Sequence, residues 1–153
     1  MNNRVMIGER LLLTLWVGSL WSIGYIAVPI LFFSLDDRHL AGSLALHMFN
    51  AVRLIGMVCG AALLVDLLFT TRDVPWRRNW RIWAVIMMLF LIAVSQFVLS
   101  PVMDSLRATG LAEGSESARR FDQLHHVASF LYTITSLLGL MLVVFGLRRT
   151  SSV

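Results

Sequence analysis

Charged residues are scarce in this chain of 153 residues: they make up 14% of it, and all thirteen basic residues are arginine, with no lysine. Soluble domains are nearer a quarter charged and about half apolar. Here 58% of the residues are hydrophobic, more than a soluble domain of this length could bury, so the composition predicts a membrane protein. The single cysteine, Cys59, excludes a disulfide scaffold within the chain.

The sequence also lacks the short motifs of common catalytic and metal sites. It contains no HExxH, CxxC or CxxCH motif, and no Ser-His-Asp order, paired-carboxylate site or glycine-rich phosphate loop is evident. The arginines form no basic stripe interleaved with aromatic residues, which argues against a nucleic-acid-binding face. An enzyme therefore has no support in the sequence, and no nucleic-acid partner is expected.

Four apolar stretches are long enough to cross a bilayer, which requires about 20 residues. They predict an all-α bundle of four transmembrane helices in the lipid bilayer, forming one integral membrane domain over residues 1–153. The first apolar run is too long for a signal peptide and is not followed by a small-x-small cleavage site, so an uncleaved helix is expected. The predicted spans cover residues 11–33, 48–69, 80–100 and 126–147.

The arginines are distributed unequally between the two sides of the predicted bundle. Eight lie at the termini and in the loop between helices 2 and 3, and four lie in the other two loops. Because basic loops stay in the cytoplasm, both termini are predicted to be cytoplasmic (N-in/C-in) in the cell inner (plasma) membrane. The inner set is Arg4, Arg10, Arg72, Arg77, Arg78, Arg81, Arg148 and Arg149, and the outer set is Arg38, Arg107, Arg119 and Arg120.

The third loop contains signals for helix starts and stops. Ser100 followed by Pro101 is typical of a helix N-terminus, and Gly110 is a typical stop. We therefore predict a short extracytoplasmic helical segment between helices 3 and 4. Ser115, with Glu116 in the following turn, predicts the N-terminus of helix 4.

Small and polar residues align on one face of three predicted helices when residues are placed 100° apart. Such faces usually turn away from lipid, because small residues let helices approach closely. The Gly56 and Gly60 pair is a possible contact for a homo-oligomer or a larger membrane complex. The aligned residues are Thr14, Gly18, Ser22, Tyr25, Pro29 and Asp36 on helix 1, Asn50, Arg53, Gly56 and Gly60 on helix 2, and His125, Ser129, Tyr132, Ser136 and Gly139 on helix 4.

One polar layer is predicted between the middle of the bilayer and its outer surface. At a rise of 1.5 Å per residue, Arg53, Tyr25, Gln96 and Tyr132 lie about 5–8 Å outward of the centre, one on each helix. The cytoplasmic half is almost entirely apolar. Together with Ser129, these side chains predict a ligand pocket that is open to the outside and closed below.

Arg53 is a charge within a predicted span, where insertion costs about 2.5–3.5 kcal/mol. It should therefore either pair with a carboxylate, such as Asp104 or Asp36, or bind a ligand. An arginine offers a fixed fork of donors, so the ligand that it favours is a small anion.

The two adjacent histidines of helix 4 cannot both face one metal ion, because His126 is rotated by 100° from His125. A metal or cofactor site would need ligands from several helices, such as His125 with His47 and Asp104. Paired histidines can also hold haem iron. The alternative is that the histidines are hydrated at the membrane interface, so the sequence leaves a metal ion, haem or no cofactor open.

Three stretches together resemble the transmembrane protein 205-like family, a family of unknown function. They are "LWVGSL" leading to "VPILFFSL" on helix 1, "AGSLALHMF" at helix 2 and "FDQLHHVASFLY" at helix 4. The resemblance covers nearly the whole chain and implies a four-helix integral membrane protein without a settled activity. The matching positions are Gly18, Pro29, Phe32, Gly42, Phe49, Phe121, His125 and Ser129.

The function predicted from these features is a non-enzymatic, small binding or transport-associated bundle, whose outward-open pocket accepts a metal ion or a small anion. One alternative is a haem-binding membrane redox subunit. Another is a structural or regulatory partner of a larger membrane complex.

Overall fold

The computed structural model describes residues 3–70, 79–108, 110 and 115–146. All regular secondary structure in these residues is helical and forms four long helices, which are numbered α1 to α4. α1 comprises Asn3–Trp21, Ser22–Ala27 and Val28–Ser34; α2 is Arg38–Thr70; α3 comprises Trp80–Val94, Ser95–Leu99 and Ser100–Ala108; α4 comprises Glu116–Met141 and Leu142–Gly146.

Each of the four helices contains a segment that is long and apolar enough to cross a membrane. These segments have 29, 32, 29 and 31 residues. The prediction of an all-α fold with four helices long and apolar enough to span a membrane is thus confirmed for the described residues, although the helices are longer than the predicted spans. Several positions used for the prediction lie outside the described residues: Arg72, Arg77, Arg78, Arg148 and Arg149, and the end of the fourth span at Leu147.

The four helices form a closed bundle in which each helix packs against the next and α1 also packs against α4. The core lies in the half of the bundle that holds the N-terminus of α1, around Trp16, Leu63, Met88 and Leu142. By contrast, the described segments Ser22–Ala27, Val28–Ser34 and Ser100–Ala108 contain no buried residue. The packing is therefore tight at the predicted inner end and loose at the predicted outer end.

α1 and α3 each contain a π-helical segment that ends two residues before a proline. Ser22–Ala27 precedes Pro29, and Ser95–Leu99 precedes Pro101. Proline has no N–H, and its ring clashes with the carbonyl four residues earlier. A wider π turn relieves that clash without breaking the helix.

Ser100 does not begin a separate helix. The predicted segment is helical, but Ser100–Ala108 continues α3 directly. The Ser100 N–H donates to the Ser95 carbonyl, and the Ser100 hydroxyl donates to the same oxygen at 3.0 Å. The prediction of an N-cap at Ser100 was therefore wrong, because a π turn absorbs the proline that suggested a helix start.

Two other predicted helix boundaries are confirmed. α3 ends before Gly110, which has a φ of 87° and donates its N–H to the Arg107 carbonyl at 3.1 Å. Such a positive φ favours glycine at the end of a helix. Ser115 caps α4, because its hydroxyl accepts the Ala118 N–H at 3.1 Å.

The buried face of α1 is not the predicted one. The small and polar stripe that includes Thr14, Gly18 and Ser22 is exposed on the outside of the bundle. The buried residues of α1 include Leu13 and Trp16 instead. The prediction was wrong because the closest packing of α1 uses a large aromatic residue, which a search for small and polar residues does not detect.

The glycines of α2 receive that aromatic side chain. A Cβ added at Gly56 would lie 2.6 Å from Trp16 Nε1, and one added at Gly60 would lie 2.8 Å from Trp16 Cη2. Both glycines are buried. They therefore serve contacts within one chain, and an oligomer or larger complex formed through them stays a prediction.

Candidate functional site

Arg53 joins α2 to α3 through neutral partners. Its Nη1 donates to the Ser100 hydroxyl at 2.7 Å, and its Nη2 donates to the Asn50 side-chain oxygen. Asn50 lies one turn before Arg53 on α2, and Ser100 follows the π segment of α3. The π turn therefore shapes the backbone next to the hydroxyl that holds the guanidinium.

No carboxylate forms an ion pair with Arg53 among the described residues. Asp104 pairs instead with Arg107 at 3.7 Å and acts on Arg53 only as a more distant charge. Asp36 is exposed. In the described part of the chain, the Arg53 Nε is buried and has no hydrogen-bond partner. The half-buried guanidinium thus has neutral contacts and one donor to spare.

Tyr132 of α4 contacts the backbone of α1 at its π segment. Its hydroxyl donates to the Leu20 carbonyl at 2.5 Å and lies close to Gly24. In a regular α-helix the Leu20 carbonyl would accept the Gly24 N–H. A side chain placed in this way widens a helix turn. Gly24 makes the approach possible, because a Cβ there would lie 2.6 Å from the tyrosine oxygen.

A cluster of aromatic rings surrounds this contact. The Tyr25 ring lies 6.3 Å from the Tyr132 ring and 5.0 Å from the Trp21 ring. The Tyr25 and Ser136 hydroxyls form a hydrogen bond of 2.8 Å between α1 and α4. Phe49 of α2 meets Tyr132 edge-on at 5.2 Å. The rings therefore connect three helices at the level of the π segment.

The structure brings some of the predicted pocket residues together. Tyr25 and Tyr132 are neighbours, as expected for one layer. Gln96 is half-buried within the π segment of α3. Ser129 is exposed, and its hydroxyl donates to the His125 carbonyl of its own helix at 2.9 Å. Since both tyrosine hydroxyls already bond α1 to α4, a pocket that uses all of these residues stays a prediction.

The predicted metal residues have other contacts. His47 donates from Nδ1 to the Ser43 carbonyl at 2.8 Å, and the exposed His125 ring stacks on Phe121 at 6.3 Å. Within the described ranges, no group of three or more His, Cys, Asp or Glu side chains is placed to hold a metal ion. A metal ion at His125, His47 and Asp104, or a haem, therefore stays a prediction.

An ion pair at the opposite end of the bundle was missed by the sequence reasoning. Glu9 of α1, which is 4% exposed, pairs with Arg81 at the start of α3. Both residues lie at the predicted cytoplasmic ends of their helices. Two opposite charges at the same depth were the signal in the sequence that could have predicted the pair. The pair fastens α1 to α3 below the core.

The matches with known proteins are few. A family model described as a domain of unknown function (DUF4149) matches residues 11–112, about two thirds of the chain. No curated protein matches, and no solved structure matches. The matched range contains α2 with Arg53 and ends before α4. It does not confirm the transmembrane protein 205-like family, which stays a prediction.

Proposed function

Because the chain belongs to the DUF4149 family, a domain of unknown function, we propose its function from the site itself. The protein is a small, non-enzymatic binding or transport-associated bundle of the inner (plasma) membrane. It binds a small anion at Arg53, and the anion enters from the outer, loosely packed end of the bundle.

The contacts of Arg53 carry this proposal. A charge within a membrane-spanning segment is costly and is usually paired or functional. Arg53 has only the neutral partners Asn50 and Ser100 in direct contact in the described part of the chain. A guanidinium that contacts only neutral partners still attracts an anion. Its planar fork of donors suits charge-assisted hydrogen bonds. The absence of buried residues in Ser100–Ala108 supports access from this end.

Anion-dependent stability tests the proposal. We expect the thermal unfolding midpoint of the purified protein to rise with one of chloride, phosphate or acetate, compared at constant ionic strength. A ligand present at 100 times its Kd stabilises the folded state by about 2.7 kcal/mol. Arg53→Gln should abolish the rise because it removes the charge, and Arg53→Lys should weaken it because lysine lacks the fork.

Arg119→Gln is the matched control. Arg119 is exposed near the start of α4, so removing its charge should leave the anion response unchanged. A rise of equal size in Arg53→Gln and in the wild type would contradict binding at Arg53.

The proposed orientation has both termini in the cytoplasm, which rests on the eight inner against four outer arginines. In a background with Cys59→Ala, we expect a cysteine at Asn79 to resist an impermeant thiol reagent in intact cells. A cysteine at Ala108, which is exposed at the other end of α3, should react. The reverse labelling pattern would invert the bundle and place the Arg53 site at the cytoplasmic end.

A further inference from the structure

The indole N–H of Trp16 is buried without a partner at the centre of the bundle. Trp16 is 0% exposed, and no acceptor among the described residues bonds to its Nε1. A buried donor that is left unsatisfied costs about 1–3 kcal/mol. Buried tryptophans usually find an acceptor for this N–H. The position of Trp16 Nε1 therefore calls for an acceptor that the described residues do not supply.

A second unsatisfied donor lies on the same side of α2. Trp16 Nε1 is 2.6 Å from the position that a Cβ on Gly56 would take, and Ile92 Cδ1 of α3 is 2.8 Å from it. Arg53 lies one turn outward from Gly56, on a neighbouring line of the same helix face. Its Nε is also buried and has no partner within the described ranges. An unsatisfied N–H from α1 and one from α2 thus lie at adjacent turns of α2.

We propose that Trp16 and Arg53 together bind a halide ion, such as chloride, between α1 and α2. This rests on the proposed function, because Arg53 supplies the positive charge that an anion needs in an apolar interior. Both side chains offer only N–H donors, so the ligand must supply the hydrogen-bond acceptor. The tight packing of Trp16 on Gly56 favours a single-atom ligand over a phosphate or a carboxylate.

Tryptophan fluorescence reports such a site directly, because bromide and iodide quench an indole that they contact. The probe is sodium bromide, balanced with sodium gluconate at constant ionic strength. The protein is the full chain with Trp21, Trp76, Trp80 and Trp83 replaced by phenylalanine, so that only Trp16 emits.

We expect bromide to quench Trp16 with a saturable dependence, although the residue is buried, and chloride to relieve the quenching by competition. Arg53→Gln should raise the bromide midpoint at least tenfold, about 1.4 kcal/mol of binding free energy. Arg119→Gln should leave the midpoint unchanged.

A second measurement covers the case in which the single-tryptophan protein does not fold. In the otherwise unchanged chain, Trp16→Phe should remove the saturable part of the bromide quenching and the chloride-dependent rise of the unfolding midpoint.

Quenching that is absent, linear in bromide or insensitive to Arg53→Gln would overturn the halide site, and a buried water would then be the partner of Trp16. If another anion still stabilised the wild type but not Arg53→Gln, the proposed function would stand without Trp16. If no anion did so, both proposals would fail.

Discussion

Replacing Gly24 with leucine should lower the thermal unfolding midpoint of the protein sharply. A Cβ at Gly24 would lie 2.6 Å from the Tyr132 hydroxyl oxygen and 2.8 Å from its Cζ. The larger side chain must displace the Tyr132 ring, and such overpacking costs about 1–3 kcal/mol. Separation of the hydroxyl from the Leu20 carbonyl costs about 1–3 kcal/mol more, because the group is left unsatisfied. The measurement is thermal unfolding in a mild detergent.

Gly18→Leu is the matched control on the same helix. No atom lies within 4 Å of a Cβ at Gly18, which is exposed. Leucine there should be neutral or slightly stabilising, since glycine in a helix costs about 1 kcal/mol relative to good helix formers. Tyr132→Phe should lower the unfolding midpoint less than Gly24→Leu does and more than Gly18→Leu does. Without the hydroxyl, the Leu20 and Gly24 backbone groups can bond to each other. Equal effects of the two leucine substitutions would contradict the contact between Gly24 and Tyr132.

The four helices could be predicted from the sequence because length and apolarity decide whether a segment crosses a bilayer. Their ends could be predicted only where a local signal exists. Ser115 and Gly110 are such signals, and both boundaries are found. α2 begins at Arg38, about ten residues before the predicted span, because a helix continues into polar sequence that a hydropathy window excludes.

Helix rotation was harder to predict, as α1 shows. The predicted stripe through Thr14 and Gly18 faces outward, because the closest packing of α1 uses Trp16 instead. Trp16 packs there on Gly56 and Gly60 of another helix. A rule based on one helix at a time cannot include such a contact. The inward faces of α2 and α4 were predicted correctly near Gly60 and Ser136.

Only part of the candidate site could be predicted, again because some of its contacts depend on other helices. The charge of Arg53 is visible in the sequence because it interrupts an apolar span. Asn50 was also predicted to lie on the same face of α2 as Arg53. Ser100 was interpreted as a helix cap, because its role depends on the π turn and on the packing of α3 against α2. The unsatisfied N–H of Trp16 could not be predicted, since it depends on every neighbour of the ring.

Gly60→Leu should also destabilise the bundle strongly, through the core rather than the outer end. A Cβ at Gly60 would lie 2.6 Å from Leu89 Cδ2 and 2.8 Å from Trp16 Cη2. Leu89 has a flexible end, but Trp16 is 0% exposed and has no room to move. We expect a loss of about 1–3 kcal/mol or more, measured as a lower unfolding midpoint.

Met57→Leu separates this effect from a general sensitivity of α2. Met57 packs against the edge of the core and is only partly buried, so a swap that nearly conserves volume should cost less than about 1.5 kcal/mol. Gly60→Ala should fall between the two, because it adds the same Cβ without the rest of the leucine side chain. If Met57→Leu and Gly60→Leu lowered the midpoint equally, α2 would be rotated so that Trp16 does not pack on its glycines. The proposed position of the Trp16 N–H beside Gly56 would then fail as well.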